Sequence, residues 1–314
     1  MRDHFPHGIV DRTEIVTCAP HELLRVLERD PAVDVVCPGT AQVGAAELSA
    51  GTFGLVLQFG AGLDTVDVPA ATDHGVWVAN MPGVNAPEVA EHAIMLLLSI
   101  SRRMYESNAG FEPDAWGLTE GRALAGSTVC IVGFGAIGRQ IASRLRPFGA
   151  RLVVAQRDAS KGLPAEYDFV EVVDRLEEGL ASADSVVLAA SLEAGAGPIL
   201  DRRAFAAFRP GTLLVNVGRG RLIDEHALLE RLDDGTIAAA GLDVFATEPH
   251  PLRALRVHPH VISTAHVAGI TDKFFTDGSR AFGADLERYA QGRPPENPTN
   301  SVAAPRARFT MEGC

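Results

Sequence analysis

The chain has 314 residues, of which 46% are hydrophobic and 22% charged, and it carries a net charge of −12 at pH 7. Single hydrophobic cores stop growing at about 250–300 residues, so two domains are expected, and this composition argues against wholesale disorder. The negative charge, uninterrupted by a basic run or an aromatic-interleaved basic patch, argues against nucleic acid and membrane surfaces as partners.

The opening Met1-Arg2-Asp3-His4-Phe5 lacks the apolar core of a signal peptide. No apolar run reaches the roughly 20 residues that span a bilayer, so a cytoplasmic address is expected. Residues 14–17 predict a strand, 21–29 a helix, and 33–37, 54–58 and 76–79 further strands, which together make a small α/β unit. Residues 87–104 predict one long helix suited to connect two domains, and the mostly polar stretch 108–122 reads as a loop. From Thr128 onward, short β-branched runs at 128–132, 152–155, 169–172, 185–189, 213–216, 237–243 and 261–264 alternate with helical patterns, notably 137–148, 202–208 and 225–232. Each run is apolar with little alternation, as expected of parallel strands buried on both faces. A last helical pattern, 273–291, precedes a tail expected to pack back on the first unit. Cys18, Cys37, Cys130 and Cys314 are scattered, with no Cys-x-x-Cys pair; they read as reduced thiols, and no metal site is expected.

Gly133-Phe134-Gly135-Ala136-Ile137-Gly138 follows a predicted strand and opens a predicted helix. In that setting backbone N–H groups and the helix dipole hold a pyrophosphate, which assigns Gly133, Gly135, Ala136, Ile137 and Gly138 to a dinucleotide. Without it the triplet would be only a tight strand-to-helix turn. The end of the next strand selects the cofactor, because an acidic side chain there binds the ribose hydroxyls and repels a 2′-phosphate. This chain offers neutral Gln156 and cationic Arg157, which points to NADP over NAD. Asp158 is the rival, and at two positions past the strand end it reads as a turn residue; Arg157 as a solvated surface charge is the competing reading.

Arg219, Glu248 and His266 follow the carboxyl ends of the last three predicted strands, the edge where open α/β sheets bind ligands. Arginine grips a carboxylate, histidine gives a proton to a carbonyl oxygen, and a carboxylate supports the imidazolium. Taken singly, each has a bland reading: a loop cap, a strand end before Pro249, a core histidine.

The segments Val215-Asn216-Val217-Gly218-Arg219-Gly220, Gly241-Leu242-Asp243-Val244-Phe245-Ala246-Thr247-Glu248-Pro249 and Thr264-Ala265-His266-Val267-Ala268-Gly269 resemble the D-isomer-specific 2-hydroxyacid dehydrogenases, over most of the chain from about Leu55. The resemblance implies a Rossmann-type doubly wound parallel sheet with a second, smaller flavodoxin-like α/β domain. Residues 84–271 are then the dinucleotide-binding domain, and residues 1–83 plus 272–314 the substrate domain. It implies that Arg219 anchors the substrate, Glu248 supports the imidazole and His266 is the general acid/base, with Val217, Gly218 and Asp243 contacting the cofactor. Gln58-Phe59-Gly60-Ala61-Gly62-Leu63-Asp64 resembles the family's substrate loop, so Gly60, Ala61 and Gly62 are expected at the substrate carboxylate; an ordinary tight turn is the equal alternative. Val89-Ala90-Glu91-His92 also matches, but inside the long helix it reads as packing and domain contact, and His92 is given no catalytic role. Three departures stand out. Ala265 replaces a proline, residues 188–193 lack the usual wording, and the N-terminus reads as short by about one strand and helix.

The implied function is hydride transfer between NADP(H) and a small 2-keto or D-2-hydroxy acid, such as glyoxylate, hydroxypyruvate or a larger 2-keto acid, by a homodimer. The alternatives are a dinucleotide-sensing, corepressor-like regulator and a formate- or phosphite-type dehydrogenase.

Overall fold

Most strands in this chain are short, apolar and buried on both faces, which requires helices above and below each sheet. The structure, a computed structural model, describes residues 14–109, 116–156, 162–192 and 195–306. The chain divides into two units, Met1–Asn85 with Ile270–Cys314, and Ala86–Gly269.

The first unit begins with α1 (Leu23–Arg29), β1 (Val35–Val36), α2 (Ala45–Ala50), β2 (Leu55–Leu57), α3 (Val68–Asp73) and β3 (Trp77–Ala79). Its strands are parallel in the order β1-β2-β3. Leu27, Leu48, Phe53, Val56 and Val78 form its core. The Asp67 carboxylate accepts the Ala70 N–H and caps α3, satisfying a donor that the first turn leaves open. Residues 14–17, expected as a strand, form none. The segment pairs with no strand of the described sheet, which leaves β1 as its edge, and Val16 stands half in solvent.

The second unit opens with α4 (Ala86–Ser101) and α5 (Met104–Ala109). The single helix expected over 87–104 is interrupted because Arg103 takes φ +48°, a left-handed conformation that an α-helix cannot continue. There follow β4 (Thr128–Val132), α6 (Ala136–Leu145), β5 (Arg151–Ala155), β6 (Val170–Val173), α7 (Leu176–Ser182), β7 (Ser185–Leu188), α8 (Arg202–Phe205), β8 (Thr212–Asn216), α9 (Glu225–Asp233), β9 (Ile237–Leu242), α10 (Arg253–Arg256) and β10 (Val261–Ser263). The seven strands are parallel in the order β10-β9-β8-β7-β4-β5-β6, a Rossmann-type doubly wound sheet. The chain winds outward in one direction from β4 through β5 to β6 and in the other from β7 through β8 to β10. The crevice at that reversal, beyond the strand carboxyl ends, is where such sheets hold ligands. Helix α4 buries Val89, Ala93, Leu96 and Leu97 on the sheet. Gly241 of β9 permits this close seat, since a Cβ there would stand 2.9 Å from the Leu96 Cβ.

The chain then returns to the first unit with α11 (Asp272–Ala290), whose Phe282 and Tyr289 pack with Leu55 and Leu57. Asn300 stitches the following segment to β3: its side chain accepts the Val78 N–H and donates to the Val76 carbonyl and the Thr72 hydroxyl. Among the described residues no helix is long and apolar enough to cross a membrane.

Cys130 lies in the middle of β4, fully buried, and burial pushes its thiol up to about 12. Alkylation needs both access and a thiolate. Iodoacetamide at pH 8 is therefore expected to label exposed Cys18 in the folded protein and to reach Cys130 only when denaturant unfolds it, as followed by mass spectrometry. Equal labelling rates in native buffer would contradict this packing.

Candidate active site

The glycine turn leaves β4 at Gly133, which takes φ +94°, and enters α6 with Gly135 as its N-cap. A Cβ on Gly133 would press on the Ala190 backbone at 2.7 Å, and one on Gly138 would drive into the Gly133 carbonyl oxygen. Gly135 is different: it is exposed, and a Cβ there would meet nothing within 4 Å. That space lies at the start of a helix whose first amides have no intrahelical partner, so a pyrophosphate can approach the main chain. Ala136 is exposed beside it, while Ile137 packs against the core. These residues fit a dinucleotide. Gln156 follows β5 directly and its amide donates to the Gly162 carbonyl at 3.3 Å. Arg157 and Asp158, the two charged candidates for cofactor selection, lie outside the described residues.

Three loops leave the carboxyl ends of β8, β9 and β10. Buried Asn216 organises the first: its Oδ1 accepts the Gly218 N–H at 3.0 Å and its Nδ2 donates to the Arg219 carbonyl at 2.9 Å. Val217 and Gly218 are buried beneath, and a Cβ on Gly218 would stand 2.6 Å from the Ala190 carbonyl oxygen. Arg219 is half-buried, with Nη1 donating to the Gly218 carbonyl at 2.9 Å. Gly220 abuts the Phe245 main chain so closely that no side chain fits. The Phe245 N–H donates to Glu248 Oε1 at 2.9 Å, and Glu248 Oε2 pairs with His266 Nδ1 at 2.7 Å. Glu248 and His266 are thus in direct contact, and the Arg219 loop adjoins them through Gly220 and Phe245. The imidazole remains open, with 54% of its side chain exposed.

Asp243 is buried, and its carboxylate is turned onto the histidine loop. Oδ1 accepts the Thr264 hydroxyl at 2.5 Å and the Val267 N–H at 2.9 Å, while Oδ2 accepts the Ala268 N–H at 3.0 Å. The Asp243 carbonyl takes the His266 N–H at 2.8 Å. His266 itself sits at φ +53°. Behind this cluster His92 of α4 places Nε2 2.9 Å from Thr264 Oγ1 and 3.6 Å from Asp243 Oδ1. Sequence reasoning gave His92 packing and domain contact rather than chemistry and did not single out Thr264. The available cue was a polar residue on the α4 stripe of Val89 and Leu96, three and four positions away, which is a buried face.

In the first unit, Gly60 takes φ +135° and its carbonyl accepts the Met81 N–H, while the Ala61 carbonyl accepts the Asn80 amide at 2.6 Å. Gly62 completes the turn, partly exposed. The Phe59 ring nests among Phe274, Phe275 and Phe282, with centroids 5.1–6.2 Å apart. Among the described residues no group of three or more His, Cys, Asp or Glu side chains is placed to hold a metal ion.

Known proteins share these segments. Residues 94–268 match the model of the D-isomer specific 2-hydroxyacid dehydrogenase NAD binding domain. A D-3-phosphoglycerate dehydrogenase of Mycobacterium leprae is 35% identical over 263 residues, covering 83% of this chain and 48% of that protein. A glyoxylate reductase of Thermococcus litoralis is 30% identical over 259 residues, 78% of this chain and 76% of its own. The holo form of Rhodotorula graminis D-mandelate dehydrogenase superposes with a TM-score of 0.80 at 26% identity, over 92% of this chain and 90% of that one. The chain spans about half the length of the phosphoglycerate dehydrogenase it matches.

Replacing Asn216 with Leu removes both hydrogen bonds and strands the Gly218 N–H in a buried position. An unsatisfied buried group costs roughly 1–3 kcal/mol. Asn216→Leu is therefore expected to lower unfolding stability by about 2–4 kcal/mol in a urea titration.

Proposed function

The chain belongs to the D-isomer-specific 2-hydroxyacid dehydrogenase family, and from that premise we propose that it reduces a small 2-keto acid to the D-2-hydroxy acid with NADP(H). The observation that carries the reading is the 2.7 Å pair of Glu248 and His266, at the same sheet edge as the glycine turn. The nicotinamide, when bound, supplies the hydride. An ionised Glu248 only accepts, so His266 Nδ1 carries the hydrogen of that bond and Nε2 is left to hand a proton to the substrate carbonyl oxygen. The Phe245 amide on the other carboxylate oxygen keeps Glu248 aimed at the ring. The negative charge beside Nδ1 offsets the imidazolium before the proton leaves. Arg219 grips the substrate carboxylate through its planar fork, from a loop that Asn216 holds in shape. Gly60, Ala61 and Gly62 are assigned to that same carboxylate by resemblance. Gly133, Gly135, Ala136, Ile137, Gly138, Val217 and Gly218 are assigned to the dinucleotide, and Asp243 to fixing the loop that carries His266.

NADP(H) is the proposed coenzyme because Gln156 brings no negative charge to the end of β5, and Arg157 follows it with a cation suited to a 2′-phosphate. The exposed apolar side chains Met104, Tyr105, Trp116 and Leu118 support self-association as a homodimer. Light scattering is then expected to give twice the 33.3 kDa of one chain.

His266→Ala is expected to lower kcat for keto-acid reduction by roughly 10²–10⁴, the range of a lost general acid, with dinucleotide affinity within about twofold of the parent. Near-parental turnover would overturn the mechanism. A panel of glyoxylate, hydroxypyruvate and larger 2-keto acids with NADPH and NADH tests the rest. Loss of one charge-assisted contact predicts a kcat/KM for NADPH about tenfold or more above that for NADH. A preference for NADH reverses the coenzyme assignment. Reduction of NADP⁺ by formate or phosphite alone, or by D-3-phosphoglycerate alone, replaces the substrate class.

A further inference from the structure

We propose that His92 is a positioning residue: through the Thr264 hydroxyl it sets the Asp243 carboxylate that fixes the His266 loop. The proposal rests on the reading of His266 as proton donor, and it adds a side chain from α4 to the loops at the sheet edge.

Hydrogen-bond direction determines how the cluster works. Thr264 Oγ1 has one hydrogen, and it goes to Asp243 Oδ1 at 2.5 Å. Toward His92 the same oxygen therefore accepts, and the 2.9 Å contact requires that Nε2 carry a hydrogen. The resulting chain runs from His92 Nε2–H to Thr264 Oγ1–H to the Asp243 carboxylate. A threonine hydroxyl without that donor is free to rotate and to seek another acceptor. With it, the hydroxyl is committed to Oδ1, and bonds in such a series polarise one another.

Asp243 spends its remaining capacity on the main chain at and after His266. Its carboxylate takes the Val267 and Ala268 N–H groups, and its carbonyl takes the N–H of His266. Those grips hold His266 at φ +53°, a left-handed conformation that costs a non-glycine residue about 1–2 kcal/mol. If the grips loosen, the cheaper conformation has negative φ, and the imidazole turns away from Glu248. Binding of the substrate carboxylate is assigned to other residues, so loss of His92 should fall on turnover rather than on substrate affinity. A role in packing alone makes the opposite forecast: leucine would fill the space, and a polar replacement would not help.

The test uses the full chain and four variants: His92→Leu, His92→Gln, Thr264→Val, and His92→Leu combined with Thr264→Val, with His266→Ala run in parallel. His92→Leu and Thr264→Val are each expected to lower kcat for keto-acid reduction by about tenfold or more, with KM for the keto acid within about twofold. Glutamine presents an N–H near the position of the histidine Nε2, so His92→Gln should recover most of the lost kcat. The double variant should be no slower than the slower single one, because both changes cut the same chain. Parental kcat in His92→Leu, glutamine no better than leucine, or losses that multiply in the double variant would each overturn the proposal. Should His92→Leu fail to fold in a thermal melt, His92→Gln and Thr264→Val decide: parental kcat in Thr264→Val, or a tenfold loss in His92→Gln, overturns it. His266→Ala separates this from the reading beneath it. A live His266→Ala removes the proton donor itself, whereas a dead His266→Ala beside a parental His92→Leu rejects only the role of His92.

Discussion

A carboxylate taken out of water costs several kcal/mol unless the protein meets its charge, and Asp243 is 1% exposed. The donors that meet it, the Thr264 hydroxyl and the Val267 and Ala268 amides, all come from the segment containing His266. The chain therefore meets that charge chiefly by folding this segment around it. Charge compensation and placement of the imidazole are one event. Asp243 is itself set by its neighbours: its N–H donates to the Asn216 carbonyl, and the Thr264 N–H donates to that of Leu242. The side chain of Asn216 in turn shapes the loop of Arg219. Consecutive strand ends, β8, β9 and β10, thus pass the geometry from the arginine to the histidine.

That transmission depends on a parallel sheet. Parallel strands release all their carboxyl ends on one side, so residues far apart in sequence emerge side by side without any local signal. The reversal of winding beside β4 adds the glycine turn to the same edge. Ala190, just past β7, lies against both Gly133 and Gly218, and a side chain at either glycine would push it away. The phosphate turn and the arginine loop are spaced by one stretch of main chain.

The strands of the second unit were legible because burial on both faces leaves contiguous apolar runs; residues 128–132 form β4 with the expected limits. Residues 14–17 carry a short β-branched run yet form no strand, because a strand needs a neighbour and the sequence does not name one. The break after Ser101 was equally hidden, since nothing local demands φ +48° at Arg103. The candidate site divides the same way. Glu248 and His266 were recognisable from their segments, but their contact is a property of folded loops. The partnership of His92 with Thr264 joins residues 172 positions apart, and no spacing rule reaches that far. Asp243 was found by motif, while the direction of its carboxylate emerged only with the loop it holds.

The glycine turn, Arg219, Asp243, Glu248 and His266 all fall within the matched segment 94–268. Gly60, Ala61 and Gly62 lie outside it, in the first unit. In the first unit the Phe59 ring beside that loop is enclosed by Phe274, Phe275 and Phe282 of α11. On the same helix Lys273 and Arg280 are engaged by Asp277, and Arg288 donates to the Pro294 carbonyl. The shape of the Gly60 to Gly62 turn is therefore set by packing and hydrogen bonds within the first unit, independently of the segment that carries Glu248 and His266.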